Sequence, residues 1–183
     1  MRRMAAILSA AAVAAMVVGL AAQNTKFNGK WALDQDKTTA ANPAAAAGGG
    51  GGGGGRGGGR AGGGGGGRGG FGGPFTLAVD ANTLTRTPDA GANGAAPTPT
   101  VYKLDGSEQT VPMGRGGDAK VKAKWDDSKM KIVIDQTQDG QNGPTTTHIE
   151  YSMDGDWLVI ATTRPGRDGG AGTPTKQYYK KAS

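Results

Sequence analysis

The chain has 183 residues, of which 36 are glycine, one is histidine and none is cysteine. The missing cysteine excludes disulfides and thiol chemistry, and one histidine without cysteine excludes the clustered ligands of a transition-metal site. Lysine and arginine number 21 against 15 acids, but Arg2, Arg3, Arg56, Arg60 and Arg68 lie in an N-terminal leader and a glycine run. The remainder is near neutral and offers no electrostatic footprint for nucleic acid.

The leader opens on Arg2 and Arg3. An apolar, alanine-rich stretch follows over 4–20, and Leu20-Ala21-Ala22 brings small residues before the polar Gln23. This pattern predicts a signal peptide over 1–22, cut near Ala22, and a mature protein in the periplasm or secreted. The stretch is long enough to span a bilayer uncleaved. Alanine, glycine and serine dilute its hydrophobicity, however, which favours cleavage and no stable membrane anchor afterwards.

Residues 23–37 carry a first strand around Trp31, and 38–73 read as a disordered Gly-rich loop. Its run over 48–73 includes Arg56-Gly57-Gly58 and Arg68-Gly69-Gly70-Phe71. These look like RNA-binding Arg-Gly-Gly tracts, but three arginines with one aromatic make a thin version, and a flexible loop is the better reading. The run also matches Gly-x-Gly-x-x-Gly without the strand–turn–helix setting that gives that motif meaning. Ordering a glycine costs roughly 1–2 kcal/mol of backbone entropy and buries no side chain in return.

From 74 onward the chain reads as alternating apolar segments. Strands are expected at 75–79, 83–87, 98–104, 109–111, 120–125, 129–136, 145–153, 157–163 and 174–180. Val121, Ala123 and Trp125 alternate with Lys120, Lys122 and Lys124, a two-residue period. No helical stripe follows the leader. The connections alternate in kind. Tight turns begin at Asp80, Asp105, Asp126 and Asp154, and Gly/Pro-rich loops fall at 88–97, 112–118, 139–144 and 165–174. In a meander, successive connections fall at opposite ends, so this predicts a cup with tight turns below and loops at the rim. The fold class expected is all-β: an antiparallel up-and-down meander closing into a barrel of about ten strands, with residues 74–183 supplying all but the first. An even count lets the first and last strands pair and leaves no exposed edge.

The segment Phe27-Asn28-Gly29-Lys30-Trp31-Ala32-Leu33 resembles the first strand of the calycin superfamily, the lipocalins and fatty-acid-binding proteins, whose hallmark is Gly-x-Trp, here Gly29 and Trp31. Thr175-Lys176-Gln177-Tyr178-Tyr179-Lys180-Lys181 resembles the closing strand of fatty-acid-binding proteins. The chain also resembles small exported bacterial proteins of uncharacterised function with an early Gly-Lys-Trp-x-Leu-Asp and a late Tyr-Lys-Lys. The calycin resemblance implies a basic residue over the tryptophan, Lys176 or Lys180. It also implies an arginine and a tyrosine that clamp a carboxylate, with no positions singled out. The glycine run stands where fatty-acid-binding proteins carry a helical lid.

Chemistry-bearing residues are few. His148 shares a strand face with Thr146, Glu150 and Ser152, opposite Ile149, Tyr151 and Met153, so it is expected to point to solvent. Asp126-Asp127 and Asp154-x-Asp156 lack the further oxygens of a calcium loop and read as turns. No enzyme activity, metal or cofactor is expected. Trp31 and Trp125 read as core, and Trp157 as outward if Leu158 and Ile160 face in.

The leading functional reading is an exported, non-enzymatic, lipocalin-like protein binding a small apolar or amphipathic molecule in the barrel. Phe75, Leu77, Val79, Met130, Ile132, Ile134, Leu158 and Ile160 would form the apolar wall. The other reading is an envelope interaction module with a packed core, whose Gly/Arg-rich rim loops contact acidic polymers or a partner protein. Interior volume separates the two.

Overall fold

The structure, a computed structural model, describes residues 25–43, 73–90, 96–113, 117–140, 143–166, 170 and 172–182. The expected signal peptide, and all but the last residue of the glycine run, lie outside these. Ten strands form one antiparallel meander: β1 (Gly29–Leu33), β2 (Phe75–Val79), β3 (Thr83–Pro88), β4 (Thr100–Lys103), β5 (Asp105–Pro112), β6 (Asp118–Trp125), β7 (Ile132–Gly140), β8 (Gly143–Asp154), β9 (Trp157–Thr163) and β10 (Thr175–Lys181). The sheet order is β4-β3-β2-β1-β10-β9-β8-β7-β6-β5. β1 and β10 pair antiparallel, with Trp31 opposite Lys181 and Leu33 opposite Tyr179. The first and last strands therefore close a ten-stranded, nearly complete barrel. The connections after β2, β4, β6 and β8 fall at one end, the closed end, and those after β1, β3, β5, β7 and β9 at the other, the loop end; the loop expected at 139–144 is largely strand, with Asp139 paired to Pro144 and Gly140 to Gly143. Among the described residues no helix is long and apolar enough to cross a membrane.

Alternation builds the core. Along β6 every second residue is buried: Ala119, Val121, Ala123 and Trp125. The four lysine- and aspartate-bearing positions between them face water. Asp turns then reverse the chain. The Asp80 carboxylate accepts the backbone N–H groups of Asn82 and Thr83 and the Thr83 hydroxyl, and Asp105 holds Ser107 in the same way. These Asx turns fix the reversal locally.

Three expectations need correction. Met130 is not part of the wall; it is 64% exposed. The Asp126 carboxylate takes the N–H groups of both Met130 and Lys131, and Lys129 adopts φ 57°. The turn thus runs on to Lys131, and the ladder resumes only at Ile132, opposite Trp125. The no-edge expectation also fails at one place. β4 and β5 are consecutive but are the two ends of the sheet order. Leu104, between them, is buried and its N–H bonds Asn82, and a register shift interrupts β5 between Asp105 and Glu108. The chain turns there without a hairpin, leaving a seam.

The third correction is a helix, α1 (Gln35–Ala41), across the expected boundary between first strand and loop. Asp34 caps it by accepting the Lys37 N–H. α1 continues the work of β1 along the β10 edge. The Thr38 hydroxyl accepts the Tyr178 N–H, and the Asn42 side chain bonds both the N–H and C=O of Lys176.

Candidate functional site

The barrel interior divides into two halves. It is filled from the closed end up to Phe75, which stands at the loop end of β2 opposite Pro88. Phe75, Leu77, Val79, Ile132, Ile134, Leu158 and Ile160 all face inward and are between 0 and 6% exposed. Side chains with almost no accessible surface leave no room for a water-sized probe between them. Seven of the eight expected wall residues are thus brought together, as a packed core.

Toward the loop end polar inward positions are mixed with buried apolar ones, among them Val111 opposite Ala119. Register places Gln109 opposite Val121, Val121 opposite Gln136, and Gln136 opposite Thr147. These form one tier across four strands. Two further inward positions, Thr162 and Gln177, follow Ile160 and Tyr179 up β9 and β10. On β3, Arg86 lies two residues above buried Leu84 and opposite Leu77, so it also points inward. Its guanidinium carbon sits 4.3 Å from the centre of the Phe75 ring, a cation–π contact.

Three inward tyrosines stand within reach of the Arg86 charge. Burial pushes the hydroxyls of Tyr102, Tyr151 and Tyr179 up, Tyr179 to about 12, and Arg86 pulls each partly back. All three stay neutral and can donate a hydrogen bond at any physiological pH. Tyr179 donates to Gln177 at 3.2 Å. The Tyr151 hydroxyl, Gln136 Oε1 and Gln109 Nε2 are buried without a hydrogen-bond partner among the described residues. Such groups are costly, and natural cores hold few of them.

This cluster was missed in the sequence, although a signal for it exists. Leu84-Thr85-Arg86 alternates, so an inward Leu84 makes Arg86 inward too.

The Gly-x-Trp pair behaves as a structural element. Trp31 is fully buried, and its indole N–H donates to the Phe27 carbonyl at 2.9 Å. Phe27 in turn packs edge-on to Trp125, with ring centres 5.8 Å apart. Together the three rings plug the closed end. The basic residue over Trp31 is Lys181, at 5.7 Å, rather than Lys176 or Lys180. Lys180 lies instead over Trp157, at 4.6 Å. Trp157 does face outward, with Leu158 and Ile160 inward.

His148 lies on the outer face, as expected, but not alone there. Its Nδ1 is 2.7 Å from Asp135 and its Nε2 3.4 Å from Glu150. The hydrogen bond to Asp135 is the main cause that raises its pKa, with Glu150 adding to it against a burial cost. A raised folded pKa means the cluster's contribution to stability is complete below about pH 6.5, the unfolded value, and is lost as pH rises through the folded value. The thermal midpoint should therefore fall between about pH 6 and pH 8, and His148→Gln should remove that fall. An unchanged pH profile in the variant would show that the two carboxylates do not hold the imidazolium.

No family model matches the chain, and no curated protein matches it in sequence.

Proposed function

We propose that the protein is an exported, non-enzymatic, calycin-like binding protein that takes a small amphipathic acid into the loop-end half of its barrel. The observation that carries this reading is the inward polar cluster. Apolar side chains would fill that space at lower cost, yet the sequence puts Gln109, Gln136 and Arg86 there, with Tyr102 and Tyr151, rooted in lower tiers opposite Leu84 and Ile132, within electrostatic reach of Arg86. Tyr151, Tyr102 and Gln136 are 0, 4 and 8% exposed, as closely packed as the lower wall, so a ligand enters only as these side chains part; its carboxylate would then meet Arg86 and the Tyr151 hydroxyl, the kind of clamp the calycin resemblance implies. Its apolar part would lie toward half-buried Leu33 and Met113, which pack against the core from the loop end. The filled lower half restricts the ligand to a short chain. The apolar leader and the absence of cysteine support export, and the outward His148 supports a role other than catalysis.

Sodium octanoate and the uncharged 1-octanol test this reading by amide-shift titration. Saturable binding of octanoate only, with shifts at Arg86, Gln136 and Thr147, is the expected result. Tyr151→Phe discriminates further. Removing an unpartnered buried hydroxyl should raise the stability of the ligand-free protein by about 1 kcal/mol or more, while octanoate binding weakens. The second reading, a packed-core envelope interaction module, draws on the near-zero exposure of the lower wall. Failure of octanoate to bind the parent protein would leave that reading standing.

A further inference from the structure

A second feature lies at the opposite end of the barrel and does not depend on the reading above. Between the turn that the Asn28 N–H closes on the Thr25 carbonyl and the β8–β9 turn opens a cleft of about 720 Å³, within the usual range of small-ligand sites. Its lining brings Lys26, Lys180 and Lys181 together with a single acid, Asp156, and with Met153 and Trp157. The three lysines are not equivalent. Lys180 is committed to Asp34, 2.7 Å away, and that contact is the main reason the Asp34 carboxyl titrates below its usual range. Lys26 makes no ion pair among the described residues. Lys181 rests its ammonium over the Trp31 ring rather than on a carboxylate. A cation–π contact leaves most of the ammonium's hydrogen-bonding capacity unused.

We propose that this cleft binds a phosphate monoester on a small aromatic or apolar body. The ammonium groups of Lys26 and Lys181 hold the dianion, and Met153 and Trp157 face the body. Two separate point charges in one cleft suit a dianion with several acceptor oxygens. A planar carboxylate is better served by an arginine fork. The surrounding surface argues for a small ligand over a broad anionic face. The turns beginning at Asp80, Asp105 and Asp126 project from the same end of the barrel, and their carboxylates would oppose a flat negative partner.

Phenyl phosphate is the probe, added to the full-length protein and followed by amide shifts at Gly155, Asp156 and Lys181. Saturable binding is expected. Lys26→Gln, on an exposed side chain, should weaken it about fivefold, the effect of about 1 kcal/mol for one solvent-facing charge pair. Asp156→Asn removes the opposing acid and should tighten binding by a similar factor. Lys120→Gln, near the loop end of β6, should change nothing. Inorganic phosphate alone should bind more weakly than phenyl phosphate; equal affinity would overturn the part given to Met153 and Trp157. The site itself is overturned by the absence of saturable shifts up to about 10 mM probe, or by saturable binding that neither the Lys26 nor the Asp156 variant alters.

Discussion

Trp31→Ala is expected to destabilise the fold by about 3–5 kcal/mol, the range for emptying a large aromatic site in a core. The ring is fully buried, and three contacts depend on it. Its N–H holds the Phe27 carbonyl, its face carries Lys181, and its bulk backs the Phe27–Trp125 pair. Losing the indole therefore opens the closed end as well as leaving a cavity. A domain of this size has about 5–15 kcal/mol in total, so a visible fraction of the variant should be unfolded at 37 °C. Trp157→Ala is the control. Trp157 is half-buried on the outer face, beside Tyr178, with Lys37 at 4.2 Å and Lys180 at 4.6 Å. Exposed cation–π contacts are worth about 0.5–1 kcal/mol each, so this loss should stay near 1–2 kcal/mol. Urea melts of both variants beside the parent measure the difference. Equal, small losses would remove Trp31 from its structural role.

Much of the fold was legible because its two determinants are local. Period-two alternation appears directly in β2 and β6, and the turns at Asp80, Asp105 and Asp126 each hold their own backbone through the carboxylate. The elements that escaped are those decided across the barrel. α1 carries no apolar stripe because its contacts are polar: Thr38 and Asn42 serve the β10 edge, which nothing within residues 35–41 reveals. The segment Tyr102-Lys103-Leu104-Asp105-Gly106 looks like the true hairpins, yet Leu104 is drawn into the core and the pairing is lost. Met130 shares a period with Ile132 and Ile134. What removes it from the strand is the reach of the Asp126 carboxylate, four residues back.

The site was less legible because inward and outward are separated by one residue of register. Adjacent Tyr178 and Tyr179 do not say which of them is buried. Choosing Tyr178 as inward would bring Lys176 or Lys180 to Trp31. The pairing of Trp31 with Lys181 sets Tyr179 inward instead. Arg86 was passed over for a related reason: an arginine between threonines on a strand reads as solvated until its neighbour Leu84 is known to be buried.

Gly29→Ala carries the second large effect, and it separates two explanations for the glycine of Gly-x-Trp. Gly29 holds φ 131°, and a Cβ built there would lie 3.5 Å from Lys181 Cε, an ordinary contact distance. Space is therefore adequate, while the backbone conformation is one that L residues rarely adopt. The expected cost is about 1–3 kcal/mol, that of a residue held in a sparsely populated region. Gly155 gives the comparison. It sits at φ 61° where an added Cβ would meet open space, in the left-handed region that asparagine tolerates, so Gly155→Asn should be nearly neutral. A double-mutant cycle with Lys181→Ala decides the cause. If strain at φ is the cost, the Gly29→Ala loss persists undiminished when Lys181 is truncated. If the loss disappears in that background, glycine is there to make room for the lysine over Trp31, and the backbone argument fails.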